Sequence, residues 1–240
     1  AERWMRRELT ALKSMDDPRI PRPLDAASAD GAGWEKKSLE YEGPSRSVCQ
    51  DETSGSILTI SEDVPAAMDG KGIDVVTYDA CIMGTVEVAW AMAPHADYMG
   101  ASVLSIPGPG FQYEWTLNTW FQEMTAENWV VASTVEFENQ YGSDGNVGFT
   151  AVDLTAMDDF AAALDAFLED ALDAPTEDLK AAKDAAFAPD FWNTSMKDFS
   201  DLIGKFGGVV EGDRDEALVD AYEGMIVDYW YSGNVSGITG

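Results

Sequence analysis

A single histidine, His95, and two cysteines, Cys49 and Cys81, are the entire stock of imidazole and thiol in 240 residues. So little of either excludes a disulfide framework and leaves no ligand set for a zinc site. Positive charge is scarce too: 15 Lys and Arg stand against 44 Asp and Glu, for a formal net charge of −29. A surface of that sign repels polyphosphate backbones and anionic headgroups, which excludes nucleic acid and membrane surfaces as partners. No apolar run approaches the roughly 18 residues of a membrane span, and the arginine-bearing N-terminus lacks the apolar stretch of a secretory signal. The expectation is a soluble chain with neither segment, in a compartment that the sequence leaves open.

What is present is a globular composition. With 45% hydrophobic and 11% aromatic residues, the chain can bury one sizeable core, and a monomer is the default. Asp and Glu are spread along the length rather than gathered in a tail, as on proteins from high-salt cells, where counterions screen self-repulsion. The exception is residues 1–46, with nine basic and nine acidic side chains against six and thirty-five in residues 47–240. Residues 1–29 form one domain-level unit, an atypical segment with a weak amphipathic helix at Arg3–Leu12 and a Pro/Asp/Ala-rich stretch after it; residues 30–240 form the other.

From about Gly70 short apolar runs alternate with long amphipathic ones, the pattern of a mostly parallel sheet covered by helices. Ile73–Tyr78 reads as a buried strand; Ile82, Val86, Ala89, Trp90 and Ala93 recur at helical spacing; Tyr98–Leu104 is the next strand. A Pro/Gly loop at 107–110 leads to helical patterns at Trp115–Phe121 and Thr125–Tyr141 and a strand at Val147–Val152. The rest is helix-rich, with segments at Leu154–Leu172, Thr176–Phe187, Ser195–Phe206 and Glu216–Tyr231.

Cys81 is the residue with chemistry in it. This pattern sets it at the C-terminal edge of a central parallel strand and at the mouth of the next helix, where open α/β sheets carry their sites. A helix N-terminus favours the reactive thiolate. Position alone also fits a buried structural cysteine. Asp79, two residues earlier, fits a carboxylate that neutralises the helix dipole. His95 follows some fourteen residues along the helix that leads away, roughly 20 Å from the thiol, and reads as a helix-end surface residue.

The stretch from Asp79 to Ser102, DACIMGTVEVAWAMAPHADYMGAS, with IPGPGFQYEWTL at 106–117, closely resembles the clostripain-like cysteine peptidases. Asp30-Gly31-Ala32-Gly33-Trp34 resembles that family's His-Gly-x-Gly-Trp turn, Cys49–Gly55 the segment that follows it, and Phe149–Leu154 a later strand-to-helix passage. Gly237-Ile238-Thr239 resembles the start of a late strand. The resemblance covers residues 30–240 and implies a three-layer (α/β/α) caspase-like fold, incomplete at both ends, in a family often secreted. It also implies a Cys–His endopeptidase in which Cys81 is the nucleophile, the N–H groups of Cys81 and Gly31 hold the oxyanion, and Asp79 lines a pocket for Arg or Lys of a peptide or protein substrate.

Asp30 stands where that family has its histidine. Its ordinary pKa of about 3.9 makes it a poor acceptor for a thiol proton near 8.5, and its charge opposes formation of a second anion beside it. Two readings follow: an endopeptidase cleaving after Arg or Lys whose start at residues 1–29 is rearranged, and a non-catalytic pseudopeptidase that still binds basic peptides. An incomplete domain with no function of its own is a third. No cofactor is implied. The acidic loops Ser143–Asn146 and Glu211–Asp215 lack the ligand spacing of a calcium site and read as solvated turns, although the resemblance makes a calcium effect conceivable. The aromatic segment Phe111–Phe121 reads equally as groove lining or as packing on the sheet.

Overall fold

The computed structural model describes residues 47–50, 57–60, 62–118, 124–188, 196–210, 212 and 214–232. The chain divides into two compact units, Ala1–Ser47 and Val48–Gly240, and all described residues except Ser47 belong to the second. The segment at 1–29, with Arg3–Leu12 in it, and the motifs at 30–34 and 237–239 lie outside the described residues.

Strands β1 (Ser47–Gln50) and β2 (Ile57–Thr59) pair as a two-stranded sheet. Helix α1 (Asp63–Met68) leads into β3 (Ile73–Thr77), α2 (Val86–Met92), β4 (Ala96–Ala101), α3 (Tyr113–Asn118), α4 (Ala126–Tyr141) and β5 (Gly148–Asp153). A 3-10 turn at Leu154–Ala156 opens the helical half, α5 (Met157–Ala171), α6 (Thr176–Ala185), α7 (Phe199–Gly207) and α8 (Arg214–Met225), and β6 (Ile226–Tyr231) closes it. The alternation expected between residues 73 and 153 is present, within a few residues at each boundary.

The main sheet runs β3-β4-β5-β6. Only β3 and β4 are parallel; β5 is antiparallel to β4, and β6 to β5. The expectation of a mostly parallel sheet is thereby corrected for the described strands. It rested on uninterrupted apolar runs, and those report burial on both faces rather than strand direction. All of Gly148–Val152 is buried. Phe149 points to an aromatic cluster under α4, while Val152 joins the larger core beneath α2, α5, α7 and α8. Helices thus cover the sheet on both sides. Gly100 permits the close approach on the α4 side, since a Cβ there would stand 3.0 Å from the Phe149 ring.

Helix α4 is buried nearly all round, from Val130 to Phe137. Its hydroxyls tolerate this because Ser133 and Thr134 donate to the carbonyls of Trp129 and Val130 one turn back. Helix α5 buries a stripe of Met157, Phe160, Phe167 and Ala171 at helical spacing. Arg214 ties α8 to it by donating to the Ala166 carbonyl at 2.6 Å and pairing with Asp170 at 3.3 Å.

A second correction falls at the end of this half. Glu216–Tyr231 reads as one helix, but the helix stops at Met225 and Ile226–Tyr231 is a strand. Tyr222, Met225, Ile226 and Tyr229 happen to recur at three- and four-residue intervals, and that periodicity runs on past Gly224, the one breaker near the switch. The β-branched and aromatic run IVDYWY pairs with β5, and that tertiary partner outweighs the local periodicity.

Candidate active site

The chain leaves β3 at Thr77 and reaches the Thr85 cap of α2 through a passage that turns at Cys81–Ile82 and is bonded to the end of β4 and the residues that follow it. Backbone N–H groups of Tyr78, Ile82 and Gly84 donate to the carbonyls of Gly100, Leu104 and Ser102 at 2.8–3.0 Å. Ser102 Oγ closes its own small ring, accepting from the Leu104 N–H and donating to the Leu104 carbonyl at 3.0 Å. Gly84 is pressed so close that a Cβ would meet Val103 Cγ1 at 2.8 Å. Thr85 then accepts from the Val88 N–H at 3.2 Å and starts the helix.

Cys81 therefore follows a strand that runs parallel to β4, but it stands four residues before the cap rather than at the helix mouth. Two further expectations need correction here. Among the described strands β3 is at the edge of the sheet, not its centre, and Ile82 lies outside α2, whose buried face is Val88, Ala89 and Met92. The physical reason for the late helix is the bonding of Ile82 and Gly84 to the Leu104 and Ser102 carbonyls, which keeps residues 82–84 out of helical pairing until Thr85.

Ile82 has φ 60°. A β-branched residue in the left-handed region is a true outlier that costs on the order of 1–3 kcal/mol, and such strain gathers at functional sites. The kink turns the Cys81 thiol outward, and it is exposed and unbridged. Its Sγ accepts from the Ile106 N–H at 3.3 Å and lies 3.8 Å from the Ile106 carbonyl. A thiolate keeps the first contact and no longer donates to the second. The Cys81 N–H has no hydrogen-bond acceptor among the described residues and is available to an incoming oxyanion.

A second loop, residues 106–113, folds against the first. Gly110 turns it with φ +66°, and a Cβ there would fall 2.4 Å from Asp79 Oδ2. That same oxygen accepts from the Phe111 N–H at 3.3 Å and from the Tyr113 hydroxyl at 2.6 Å. The bond to the carboxylate pushes the Tyr113 hydroxyl pKa up to about 12, with burial adding to it. The end of α4 anchors the loop from behind: Gln140 and Tyr141 both donate to the Gly110 carbonyl, and Gln140 accepts from the Gln112 N–H.

Cys81 and Asp79 thus share one loop and are held by the same second loop. Asp30 and Gly31 lie outside the described residues. His95 sits in the turn after α2, and the pairing of Ile73 with Ala96 sets it beside the start of β3 while Cys81 lies past the end. At 3.3 Å per residue the separation is roughly 25 Å. The Phe111–Phe121 segment divides its duties: Phe111 is buried in the aromatic cluster, whereas Tyr113 is on the site. Tyr113, Gln140 and Tyr141 escape sequence reading, because 30 residues separate α4's end from the loop it anchors and only tertiary contact joins them. Of the described acidic loops, Ser143–Asn146 is exposed, and no group of three or more His, Cys, Asp or Glu among the described residues is arranged to hold a metal ion.

Residues 28–234 match the model of the clostripain family. The chain is 31% identical to clostripain of Hathewaya histolytica over 102 residues, which cover 38% of this chain and 19% of that protein. It therefore spans about a fifth of the length of that relative. A cysteine protease of B. fragilis superposes with a TM-score of 0.63 at 19% identity, covering 79% of this chain and 81% of that one. A clostripain from Bacteroides thetaiotaomicron in complex with a peptide inhibitor gives 0.64 at 12% identity, covering 80% and 88%. An inactive zymogen C11 protease from Parabacteroides distasonis gives 0.59 at 20% identity, covering 77% and 56%. The three-layer caspase-like fold implied by the cysteine motif is the fold these structures share with this chain.

Proposed function

This chain belongs to the clostripain family, and from that premise we propose that it is a cysteine-endopeptidase-type domain in which Asp79 grips an arginine or lysine side chain and Cys81 faces the carbonyl that follows it. What supports the reading above all is one observation: an exposed thiol whose two-residue neighbour is a carboxylate fixed by a second loop. One solved relative carries the inhibitor BTN-VLTK-AOMK, whose peptide ends in lysine. In the chemistry that the family implies, the thiolate attacks the carbonyl carbon, the oxyanion accepts hydrogen bonds from the Cys81 and Gly31 N–H groups, and the leaving amine takes a proton.

The proton is the difficulty. Asp30 occupies the family's histidine position, and His95 is too far away to serve. Without a group poised near neutral pH, activation of the thiol and protonation of the amine lose a contribution of about two to four powers of ten. Our reading is that hydrolysis runs at or near background while basic-peptide binding survives. Fluorogenic peptides with Arg or Lys before the scissile bond test it directly: cleavage by the unmodified chain should match that of Cys81→Ala, and brisk turnover that Cys81→Ala abolishes would favour the active endopeptidase instead.

A further inference from the structure

We infer that Tyr113, by occupying one oxygen of Asp79, tunes the pocket toward lysine and away from arginine; this rests on Asp79 being the basic-residue pocket proposed above. A guanidinium grips a carboxylate best as a fork, with two parallel N–H···O bonds, one to each oxygen. An ammonium is a compact charge that one oxygen can satisfy. Each carboxylate oxygen offers about two acceptor positions, and both of those on Asp79 Oδ2 are in use, by the Tyr113 hydroxyl at 2.6 Å and the Phe111 N–H at 3.3 Å. Oδ1 accepts no hydrogen bond from any described residue. The free half of the carboxylate suits an ammonium, and a fork must first displace the tyrosine.

Displacement is resisted on three sides. Gly110 backs directly onto Oδ2, with no room even for a Cβ. Its carbonyl accepts from Tyr141 at 2.5 Å and from Gln140 at 2.9 Å, so the loop carrying Tyr113 is fastened to the end of a buried helix. The phenol itself holds its proton far above neutral pH, with a pKa of about 12, and is a donor throughout the neutral range in which lysine and arginine are both charged. Tyr113 acts through Asp79 and is a positioning residue, one whose removal should alter selectivity rather than the fold.

The test uses the full chain and three fluorescent peptides, identical except for a terminal lysine, arginine or norleucine, with affinities read by fluorescence polarisation at neutral pH. The unmodified chain should bind the lysine peptide at least as tightly as the arginine one. In Tyr113→Phe the ratio should move toward arginine by about fivefold, as the fork gains its second oxygen. Tyr113→Leu lacks the same hydroxyl and should move it the same way, and circular dichroism verifies that both variants fold. An unchanged ratio in both, or an unmodified chain that already prefers arginine several-fold, overturns the inference. Asp79→Asn separates the two layers of argument. If that variant still prefers lysine to norleucine, the pocket itself is wrong and Tyr113's part falls with it; if it loses the preference while Tyr113→Phe leaves the ratio alone, only Tyr113's part falls.

Discussion

Phe160, Phe199 and Tyr222 gather between α5, α7 and α8 with ring centroids 5.5–6.5 Å apart, while Phe111, Phe137, Tyr141 and Phe149 gather under α4 at 4.9–5.7 Å. The materials are alike, and the connections differ. The first cluster joins helix to helix within the larger core. The second includes Phe111, whose N–H donates to Asp79, and Tyr141, whose hydroxyl fastens the loop that carries Tyr113. Aromatic packing in one region therefore serves stability alone, and in the other it also fixes the geometry of a carboxylate at the surface.

The sharpest way to break that contrast is to empty each cluster in turn. Phe160 is 1% exposed and Phe149 fully buried, so alanine at either position should cost about 3–5 kcal/mol in urea unfolding. The two should part company at the site. Phe160→Ala is expected to leave native-state alkylation of Cys81 and the affinity for a lysine peptide unchanged, whereas Phe149→Ala, which withdraws the ring against Phe111, should weaken that peptide several-fold. Equal effects on binding would erase the distinction.

A smaller change probes the same link without opening a cavity. Tyr141→Phe keeps the buried ring but removes the donor to the Gly110 carbonyl. The expected loss is about 1–2 kcal/mol, the cost of one buried hydrogen bond, as Gln140 still reaches the same carbonyl. Peptide affinity should fall along with stability. If stability falls and affinity does not, the loop is held well enough by Gln140 alone and the coupling is weaker than the hydrogen-bond pattern implies.

How much of this the sequence discloses depends on the range of the interaction that decides each feature. The alternation of strand and helix from β3 to β5 follows from local periodicity and is legible, and the family resemblance rests on contiguous residues around Cys81. Strand direction is set by long connections, so the apolar runs of β4 and β5 could not report it. Residues 82–84 stay out of the helix because of Ser102 and Leu104, and β6 forms because β5 is beside it; in both places a tertiary partner overrules a local helical pattern. Asp79 stands out as a carboxylate next to a thiol, but nothing in FQYEW distinguishes Tyr113, which points at the site, from Phe111, which is buried beneath it.

The smallest expected effect concerns the bond between those two loops at its exposed end. Tyr113 is 57% exposed, so its contact with Asp79 should stabilise the fold by less than about 1 kcal/mol. Its signature is clearer in pH. The folded-state pKa is raised, to about 12 from an ordinary value near 10, because the carboxylate accepts the phenolic proton and disfavours the phenolate. A raised pKa means that the stabilisation is fully present below pH of about 10 and disappears as pH climbs through about 12. The stability gap between the unmodified chain and Tyr113→Phe should accordingly be flat up to pH of about 10 and close above it. Direct titration avoids the harshest alkali: at pH of about 10.5 an ordinary tyrosine is about three-quarters ionised, and one with a pKa near 12 only a few per cent. The phenolate absorbance of the unmodified chain at that pH, less that of Tyr113→Phe, should be close to zero. Asp79→Asn, measured against the double variant, should recover most of a full tyrosine's signal. A full signal in the unmodified chain would show that the two loops are not joined through this hydroxyl, and the lysine preference would lose its physical basis.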